Sequence, residues 1–516
     1  MSALAQRGHH HRGEPPQTLP APPSDEEKRA YTFRSLPLVS LCITVGFTFG
    51  TLSQIGFILY TREWPFAFFL LLTVGAFGLS MPLSFTGHGF SWEAHREQVD
   101  SWCPLHWPSV DIFLPVCGEP LSVLANTWKN VALLVEAYPG QLTPWVLDDG
   151  HNPLAAQLAA ACRLRYRVRE NRPEGKKSGN LRHAFGHTNS EFIVILDADF
   201  APRADFLAET LPYFDDPNVA IVQTPQYFRT TSAQTWVERA AATIQEVFYR
   251  AIQPTRDRLG ASVCVGSCAV YRRTALEPQG GTAQIAYAED VHTGLDVRRE
   301  GWDMVYVPVN LSTGTCPSTL DAFVRQQYRW CTGSTSTVLT SRLWTVPMSK
   351  RARLTYVSGF CYYASTALAV WTVPVIPITL LLFHPAIIKP LNSVPILIAM
   401  FTTFAVFPLW HYSDYRLREV LPLSLARGWA HALAIWDYLR GRTMAWQPTG
   451  GGVRTLRQFW WGTRIWNGGA CAVWLALVGW RMTQYDPAQF AVVAFSGFVN
   501  AVVTLRVIFP GRGAKV

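Results

Sequence analysis

The amino-acid sequence predicts a water-soluble α/β domain inserted into an α-helical transmembrane bundle of about six spans. Three observations carry this expectation. Apolar runs of spanning length lie toward both ends of the chain and are missing from its middle. That middle alternates short β-like runs with helical stretches. Only 16% of the residues are charged, against about 25% in a typical soluble protein. The chain has 516 residues, more than one compact domain of roughly 100–200 residues holds. An apolar fraction of 49%, with 20 Trp, excludes disorder, a collagen-like chain and a small disulfide scaffold.

The spans come first. Leu36–Tyr60 and Pro65–Leu83 are apolar runs separated by the polar turn Thr61-Arg62-Glu63. After the polar insert, apolar runs resume at Tyr356–Phe383, Val394–Trp410, Gly468–Trp480 and Phe490–Phe509. Each reaches or approaches the ~20 residues that cross ~30 Å of hydrocarbon, Gly468–Trp480 being the shortest. Residues 1–35 are rich in Pro, His and charge, which reads as a disordered tail with no cleavable signal peptide. The run His9-His10-His11 in that tail is better explained as solvated chain than as a metal site.

Net charge is +9, and its distribution decides what it means. Between Asp414 and Arg464 stand eight Arg against the three acids Asp414, Glu419 and Asp437. A basic stretch between apolar runs follows the positive-inside rule, so no nucleic-acid partner is expected. Arg7, Arg12, Lys28, Arg29 and Arg34 in the tail, together with Arg512 and Lys515, fall on the same side as that stretch. The opposite turns hold only Arg62, Lys389 and Arg481. Both ends and the insert are therefore expected in the cytosol, in a multi-pass protein of the plasma membrane. Ten Cys are scattered without a CxxC pair, which predicts free thiols rather than a zinc site.

Within the insert, Val110–Val116, Thr143–Leu147, Phe192–Leu196 and Val219–Val222 read as strands bounded by Pro, Gly, Asp or Asn. Leu121–Ala137 and Leu154–Arg163 read as helices between them. This rhythm predicts a largely parallel sheet, whose ligands sit beyond the C-terminal strand ends. Two acidic clusters fall there: Asp148-Asp149-Gly150 and Asp197-Ala198-Asp199. An Asp after a strand is by itself often a turn residue. Two clusters facing one crevice can instead hold a hard divalent cation with diphosphate oxygens. Such a clamp suits a nucleotide-sugar donor, because its leaving diphosphate carries developing charge. Ala288-Glu289-Asp290 opens a helical run, Val291–Arg299, where the bland reading of Asp290 is a cap. Gln326-Gln327-Tyr328-Arg329-Trp330 lies on an amphipathic stretch before the membrane region resumes, where the bland reading of Trp330 is an interfacial anchor.

In order, FLPVCGEP (113–120), VLDDG (146–150), KKSGNLRHA (176–184), ILDADF (195–200), VQTPQYF (222–228), IQPTRD (252–257), VCVGSCAVYRR (263–273), AED (288–290), GW (301–302) and QQYRW (326–330) resemble the processive family-2 glycosyltransferases. Among these the sequence is most similar to the cellulose synthase family, with VQTPQ and IQP-x-RD narrowing the likeness to glucan synthases. The resemblance runs from about 110 to 337, with two spans before it and several after.

The resemblance implies a GT-A, Rossmann-like catalytic domain over 85–340 that uses a UDP-sugar donor, UDP-glucose first, and Mg²⁺ or Mn²⁺. It implies that Glu119 and Asp148 or Asp149 contact the uridine, with Lys177 near the diphosphate. Asp197 and Asp199 would bind the donor phosphates through the metal. Asp290 would be the general base, Gln326 and Arg329 would hold the departing diphosphate, and Trp330 would stack under the acceptor sugar. An inverting transfer of this kind needs one base, a cation clamp and an aromatic platform, and no covalent nucleophile. Departures from the family pattern are Cys117-Gly118 before Glu119, Ala288 in the acidic triplet, and Cys331-Thr332-Gly333-Ser334 after Trp330. Trp446, Pro448 and Thr449, in WQPTG, stand where the family has a nucleotide-gating loop, within an interfacial segment expected over 414–465. The stretch after the last span is too short for a cyclic-di-GMP receptor domain, so activation by one within this chain is not expected.

The expected activity is processive synthesis of a β-linked polysaccharide, a β-glucan first, passed across the bilayer by the enzyme's own spans. The nascent chain would be the acceptor, with Trp371, Tyr362, Tyr363, Trp410 and Trp474 as candidates to line its path. A homo-oligomer is left open. Two enzymatic alternatives are a synthase of a hexosamine polymer of the chitin or hyaluronan type and a non-processive enzyme acting on a lipid acceptor. A transporter or structural membrane protein with a decayed α/β domain is the non-enzymatic one.

Overall fold

A computed structural model describes residues 19–32, 36–67, 70, 89–172, 174–285, 287–442 and 453–511. Its central sheet has seven strands in the order β3-β2-β1-β4-β7-β6-β8. These are β1 (Val110–Val116), β2 (Leu142–Asp148), β3 (Arg165–Arg167), β4 (Phe192–Ile195), β6 (Val219–Gln223), β7 (Ala269–Arg272) and β8 (Asp303–Tyr306). β5 (Ala201–Pro202) and β9 (Ser312–Thr313) form a separate antiparallel pair. The four predicted strands are all present, and β1 is buried along its whole length. That burial is why β1 is apolar at nearly every position instead of alternating.

The sheet is mixed rather than largely parallel. β1 pairs in parallel with β2 and β4, but β7 runs antiparallel to both β4 and β6. Reversing β7 brings its leading loop, Val265–Cys268, to the edge where β4 ends. The expected α/β domain is thus observed as a mixed sheet with helices on its faces, among them α3 (Leu121–Ala137), whose Trp128 is fully buried, and α4 (Lys176–Phe185). Further along, α5 (Glu289–Arg299) and α6 (Leu320–Leu339) carry the late motifs.

Residues 19–32, expected in a disordered tail, are docked on this domain. α1 (Asp25–Arg29) is capped by Ser24 in a reciprocal capping box with Glu27. Lys28 is buried between Asp205 (2.7 Å) and Glu209 (2.6 Å), and Glu209 is met in turn by His95 at 2.7 Å and Arg96 at 2.8 Å. Glu27 binds Arg229 at 2.6 Å, and Tyr31 is buried against Tyr227.

Three helices among the described residues are long and apolar enough to cross a membrane, over Leu41–Thr61, Lys350–Phe383 and Pro487–Ile508. They belong to α2 (Leu36–Thr61), α7 (Lys350–Phe383) and α11 (Ala491–Ile508), the last preceded by a 3-10 turn at Pro487–Phe490. The other runs expected to span differ. α8 (Val394–Trp410) has 17 residues and packs on α2, and α10 (Gly469–Met482) has 14. Most of Pro65–Leu83 lies outside the described residues. A further helix, α9 (Leu417–Leu439), joins the two halves of the molecule. A Cβ at Gly428 would meet Val370 Cγ1 at 2.6 Å and Thr366 O at 2.8 Å, so α9 and α7 touch nearly backbone to backbone. The buried His431 on α9 reaches Thr366 of α7 at 2.6 Å and Gln327 of α6 at 3.3 Å.

Candidate active site

The site is a cavity of about 960 Å³. It begins at the C-terminal ends of β1, β2 and β4, runs past α5 and α6, and ends against α7 and α9. Parallel strands end in loops that converge over one edge of the sheet, so Glu119, Asp149 and Asp197 meet although they are far apart in sequence. The cavity is lined by Glu119, Asp149, Lys177, Asp197, Asp199, Asp290, Gln326, Arg329 and Trp330. Of the site residues expected from the sequence, Asp148 is the described one that is absent from this lining.

Asp148 is 1% exposed and holds its own turn. Its carboxylate accepts the N–H groups of Gly150 (2.7 Å), His151 (3.0 Å) and Asn152 (2.8 Å) and the Tyr166 hydroxyl (2.6 Å). Asp149 faces the cavity, where Arg169 grips both of its oxygens at 2.8 and 2.7 Å. Arg169 is itself buried, and no local sequence signal marks it. Glu119 accepts the Cys117 N–H at 2.6 Å, and burial raises its pKa, with Asp199 and Asp197 adding to the rise.

Asp197 and Asp199 follow β4 directly. Asp197 donates its N–H to Ser267 Oγ at 2.9 Å and accepts Lys177 Nζ at 2.6 Å. Lys177 also reaches the Gly266 carbonyl at 3.2 Å and Glu289 at 3.8 Å. Burial presses the Lys177 pKa down, but Asp197 and Glu289 outweigh it and hold the ammonium above its ordinary range. Asp199 accepts the Thr315 hydroxyl at 2.6 Å, and burial, aided by the neighbouring charge of Asp197, pushes it up to about 6. A buried carboxylate held up by a second one is stabilised by a cation. Two hard oxygen donors with room left for phosphate oxygens fit Mg²⁺ or Mn²⁺, which take few protein ligands and complete their shells with substrate and water. No cluster of three or more His, Cys, Asp or Glu that would form an all-protein cage occurs among the described residues. Thr315 was not anticipated; it sits in the loop after β9.

Asp290 lies in the first turn of α5, where it accepts the Val291 N–H at 2.8 Å. Burial, and then the negative charge of Glu289, raise its pKa to about 7. Gly266 backs it. Its φ is +73°, and a Cβ there would stand 2.8 Å from Asp290 Cβ. α6 presents the remaining groups. Gln326 Oε1 is buried with no hydrogen-bond partner among the described residues. Burial lowers the Arg329 pKa, against the pull of Glu289 and Asp197. Trp330, 36% exposed, turns its ring to the cavity.

Tyr362 and Tyr363 of α7 line the inner end of the same cavity. Of the other aromatics expected on the path, Trp410 and Trp474 are buried elsewhere, and Trp371 meets Trp429 edge-on at 5.1 Å and Trp466 at a tilt at 4.9 Å. Trp446, Pro448 and Thr449 lie outside the described residues.

Residues 192–412 match the family model described as glycosyl transferase family group 2. Cellulose synthase 1 of Komagataeibacter xylinus is 36% identical over 234 residues, covering 45% of this chain and 15% of that protein. The UDP-forming cellulose synthase 1 catalytic subunit of the same organism is 36% identical over 234 residues, covering 31% of its own length. The catalytic subunit of Xanthomonas axonopodis pv. citri is 34% identical, with 44% of this chain and 31% of that one covered. The match thus spans less than a third of the length of these relatives. Among solved structures, a mannosyltransferase from Pyrobaculum calidifontis in complex with GDP-Man and Mn²⁺ is similar at a TM-score of 0.42 and 13% identity, covering 85% of this chain and 97% of that one. The cavity at the strand ends, the order of its motifs and the family match agree: residues 192–412 carry a glycosyl transferase family group 2 domain, and the chain is similar to the cellulose synthase catalytic subunits over less than half its length.

Proposed function

We propose that this protein is a processive, inverting glycosyltransferase that polymerises a β-linked polysaccharide from a UDP-sugar and passes it across the membrane. UDP-glucose is the donor favoured by the likeness to UDP-forming cellulose synthases. In this reading residues 85–340 form the catalytic domain on the cytosolic side of a multi-pass plasma-membrane protein, and the helices from α7 onward receive the product. The observation that carries it is the single continuous cavity. It joins paired carboxylates, a carboxyl titrating near neutrality and an exposed Trp to two tyrosines on a helix long enough to span a bilayer.

The mechanism follows from the groups present. Asp149 and Glu119 contact the uridine, with Arg169 fixing the Asp149 carboxylate plane. Asp197 and Asp199 would hold the divalent cation, which would screen the donor's diphosphate charge. Lys177, Gln326 and Arg329 hold the diphosphate oxygens. Trp330 stacks under the terminal acceptor ring and turns its hydroxyl toward Asp290. Asp290 removes that hydroxyl proton as the oxygen attacks the anomeric carbon, and the bond to UDP breaks on the opposite face. A base pKa near neutrality matches this task, because a lower one would make Asp290 a weak proton acceptor.

The test uses the full chain in detergent, given each UDP-sugar with Mg²⁺ or Mn²⁺. UDP release and a glycanase-sensitive polymer are expected with one donor. EDTA should abolish both until metal is restored. UDP release without polymer would replace polymerisation with single transfer, and full turnover in excess chelator would remove the metal from the account.

A further inference from the structure

The charges lining the cavity are unevenly placed, acids and bases together at the catalytic end and bases without acids at the inner end. Its catalytic end carries the carboxylates of Glu119, Asp149, Asp197, Asp199, Glu289 and Asp290. At its inner end, against α7 and α9, no acidic side chain among the described residues lines the wall, whereas Arg256 and Arg427 do.

Arg256 comes from the short helix Gln253–Arg258 and is 7% exposed. Its side chain makes no hydrogen bond or ion pair among the described residues, and its Nε is buried without a partner. The guanidinium lies on Gly359 of α7, where a Cβ would stand 2.7 Å from Nη2. The glycine lets the guanidinium lie close against the helix backbone. Arg427 of α9 sits over the Tyr362 ring at 5.7 Å and makes one long bond, 3.3 Å, to Ser424 Oγ. Its Nε is also without a partner. The acids nearby are engaged elsewhere. Asp257 accepts the Tyr306 N–H, Glu246 takes Arg250 with the N–H groups of Tyr412 and Ser413, and Asp437 takes the Tyr328 hydroxyl.

A buried cation without a counter-charge is costly, and the partly exposed Arg427 adds a second positive charge to the same wall. Hydroxyl groups of a neutral glycan would accept the N–H bonds but leave the net charge in place. An oxyanion answers both needs, and the flat guanidinium fork matches carboxylate and phosphate oxygens two at a time. We propose that the inner compartment binds an oxyanion, a carboxylate or a phosphate, carried on the acceptor glycan behind its reacting end. The glycan held here then carries acidic groups beside any neutral units drawn from UDP-glucose. The proposal rests on the reading of this cavity as the acceptor's path, and it goes beyond that reading in naming the charge of the occupant.

The experiment measures binding to the full-length protein in detergent, separately from turnover. Three β-linked gluco-oligosaccharides of equal length serve as probes: neutral, oxidised at C6 to the uronate, and phosphorylated at C6. The acidic probes should bind about tenfold or more tightly than the neutral one at low salt, with the preference shrinking as salt screens the guanidiniums. The tighter of the two acids identifies the source of the oxyanion. Arg256→Gln and Arg427→Gln should each cut the acid-to-neutral ratio about fivefold or more, while Arg256→Lys, which keeps the charge, retains most of it. UDP binding by each variant certifies its fold. Equal affinity for all three probes, or a ratio that Arg256→Gln leaves unmoved, overturns the proposal. Polymer made from UDP-glucose alone, with that equal affinity, would leave the polymerase reading standing and remove only this inference.

Discussion

At the scale of single residues, the proposed chemistry turns on how Asp290 would be kept available as a base. Its carboxyl is enclosed by protein and faces Glu289, and both effects disfavour the charged form. Lys177 and the Val291 N–H pull the other way. Catalysis needs the deprotonated form, so activity should fall as the pH drops below about 7. Replacing Glu289 with Gln removes a neighbouring negative charge, which lowers the Asp290 pKa. The acidic limb of the pH–rate profile should therefore move to lower pH. A limb that stays in place, or moves up, would separate Asp290 from the titration. Asp290→Asn keeps the shape but accepts no proton, and a positioned base contributes about 10²–10⁴-fold. Polymer synthesis should fall by that factor while UDP affinity changes little, because the uridine contacts lie on other loops. Synthesis above about a tenth of the wild-type rate would end the assignment.

At the scale of elements, the strand that reverses direction matters most. β7 is antiparallel to β4, so the loop leading into β7 ends beside Asp197 instead of at the opposite edge of the sheet. Gly266, Ser267 and the backbone between them then contact Lys177, Asp197 and Asp290 at once. At Gly266 an alanine would meet two penalties. Its φ of +73° costs an L-residue roughly 1–2 kcal/mol. Its Cβ would also press on Asp290 Cβ at 2.8 Å, and neither the loop nor the helix turn has an easy way to yield. Gly266→Ala should therefore reduce turnover about a hundredfold, since a displacement near 1 Å at a reacting group costs that much. The melting temperature should fall only a few degrees, in proportion to the small backbone penalty. A variant that melts far lower, or one that works normally, would show that this loop does not set the position of Asp290.

At the scale of the whole molecule, α9 couples α6 to α7, a helix long enough to cross a bilayer. It touches α7 at Gly428, and His431 hydrogen-bonds to α6 and α7 together. Trp330 and the Tyr362–Tyr363 pair are thereby held along one cavity, with Trp330 at the reaction end and the tyrosines at the membrane end. In the proposed function, a hydrophilic chain built there would have hydrocarbon ahead of it and could not cross unaided. The expected outcome in proteoliposomes with the catalytic domain outward, given UDP-sugar outside, is polymer inside the vesicles and resistant to added glycanase. Product that remains fully digestible from outside would leave a polymerase that does not translocate.

Much of this was legible in the sequence because it depends on local pattern. Strands buried on both faces are apolar along their length, as in Val110–Val116, and the acidic pairs stand where such strands end. Spanning helices betray themselves by length and hydropathy, as at Lys350–Phe383. What the sequence left undecided depends on partners far away along the chain. Asp148 and Asp149 are adjacent and chemically identical, yet one closes a turn and the other meets Arg169 in the cavity, a difference set by where the β2 loop turns. β7 itself was not anticipated, because Ala269–Arg272 is four residues ending in Arg, too short to mark a strand or its direction. Residues 19–32 look solvated by composition, since Pro and charge ordinarily keep a chain in water. They dock because Lys28 and Glu27 find Asp205, Glu209 and Arg229 about 180–200 positions onward, a complementarity that exists only once the domain has folded.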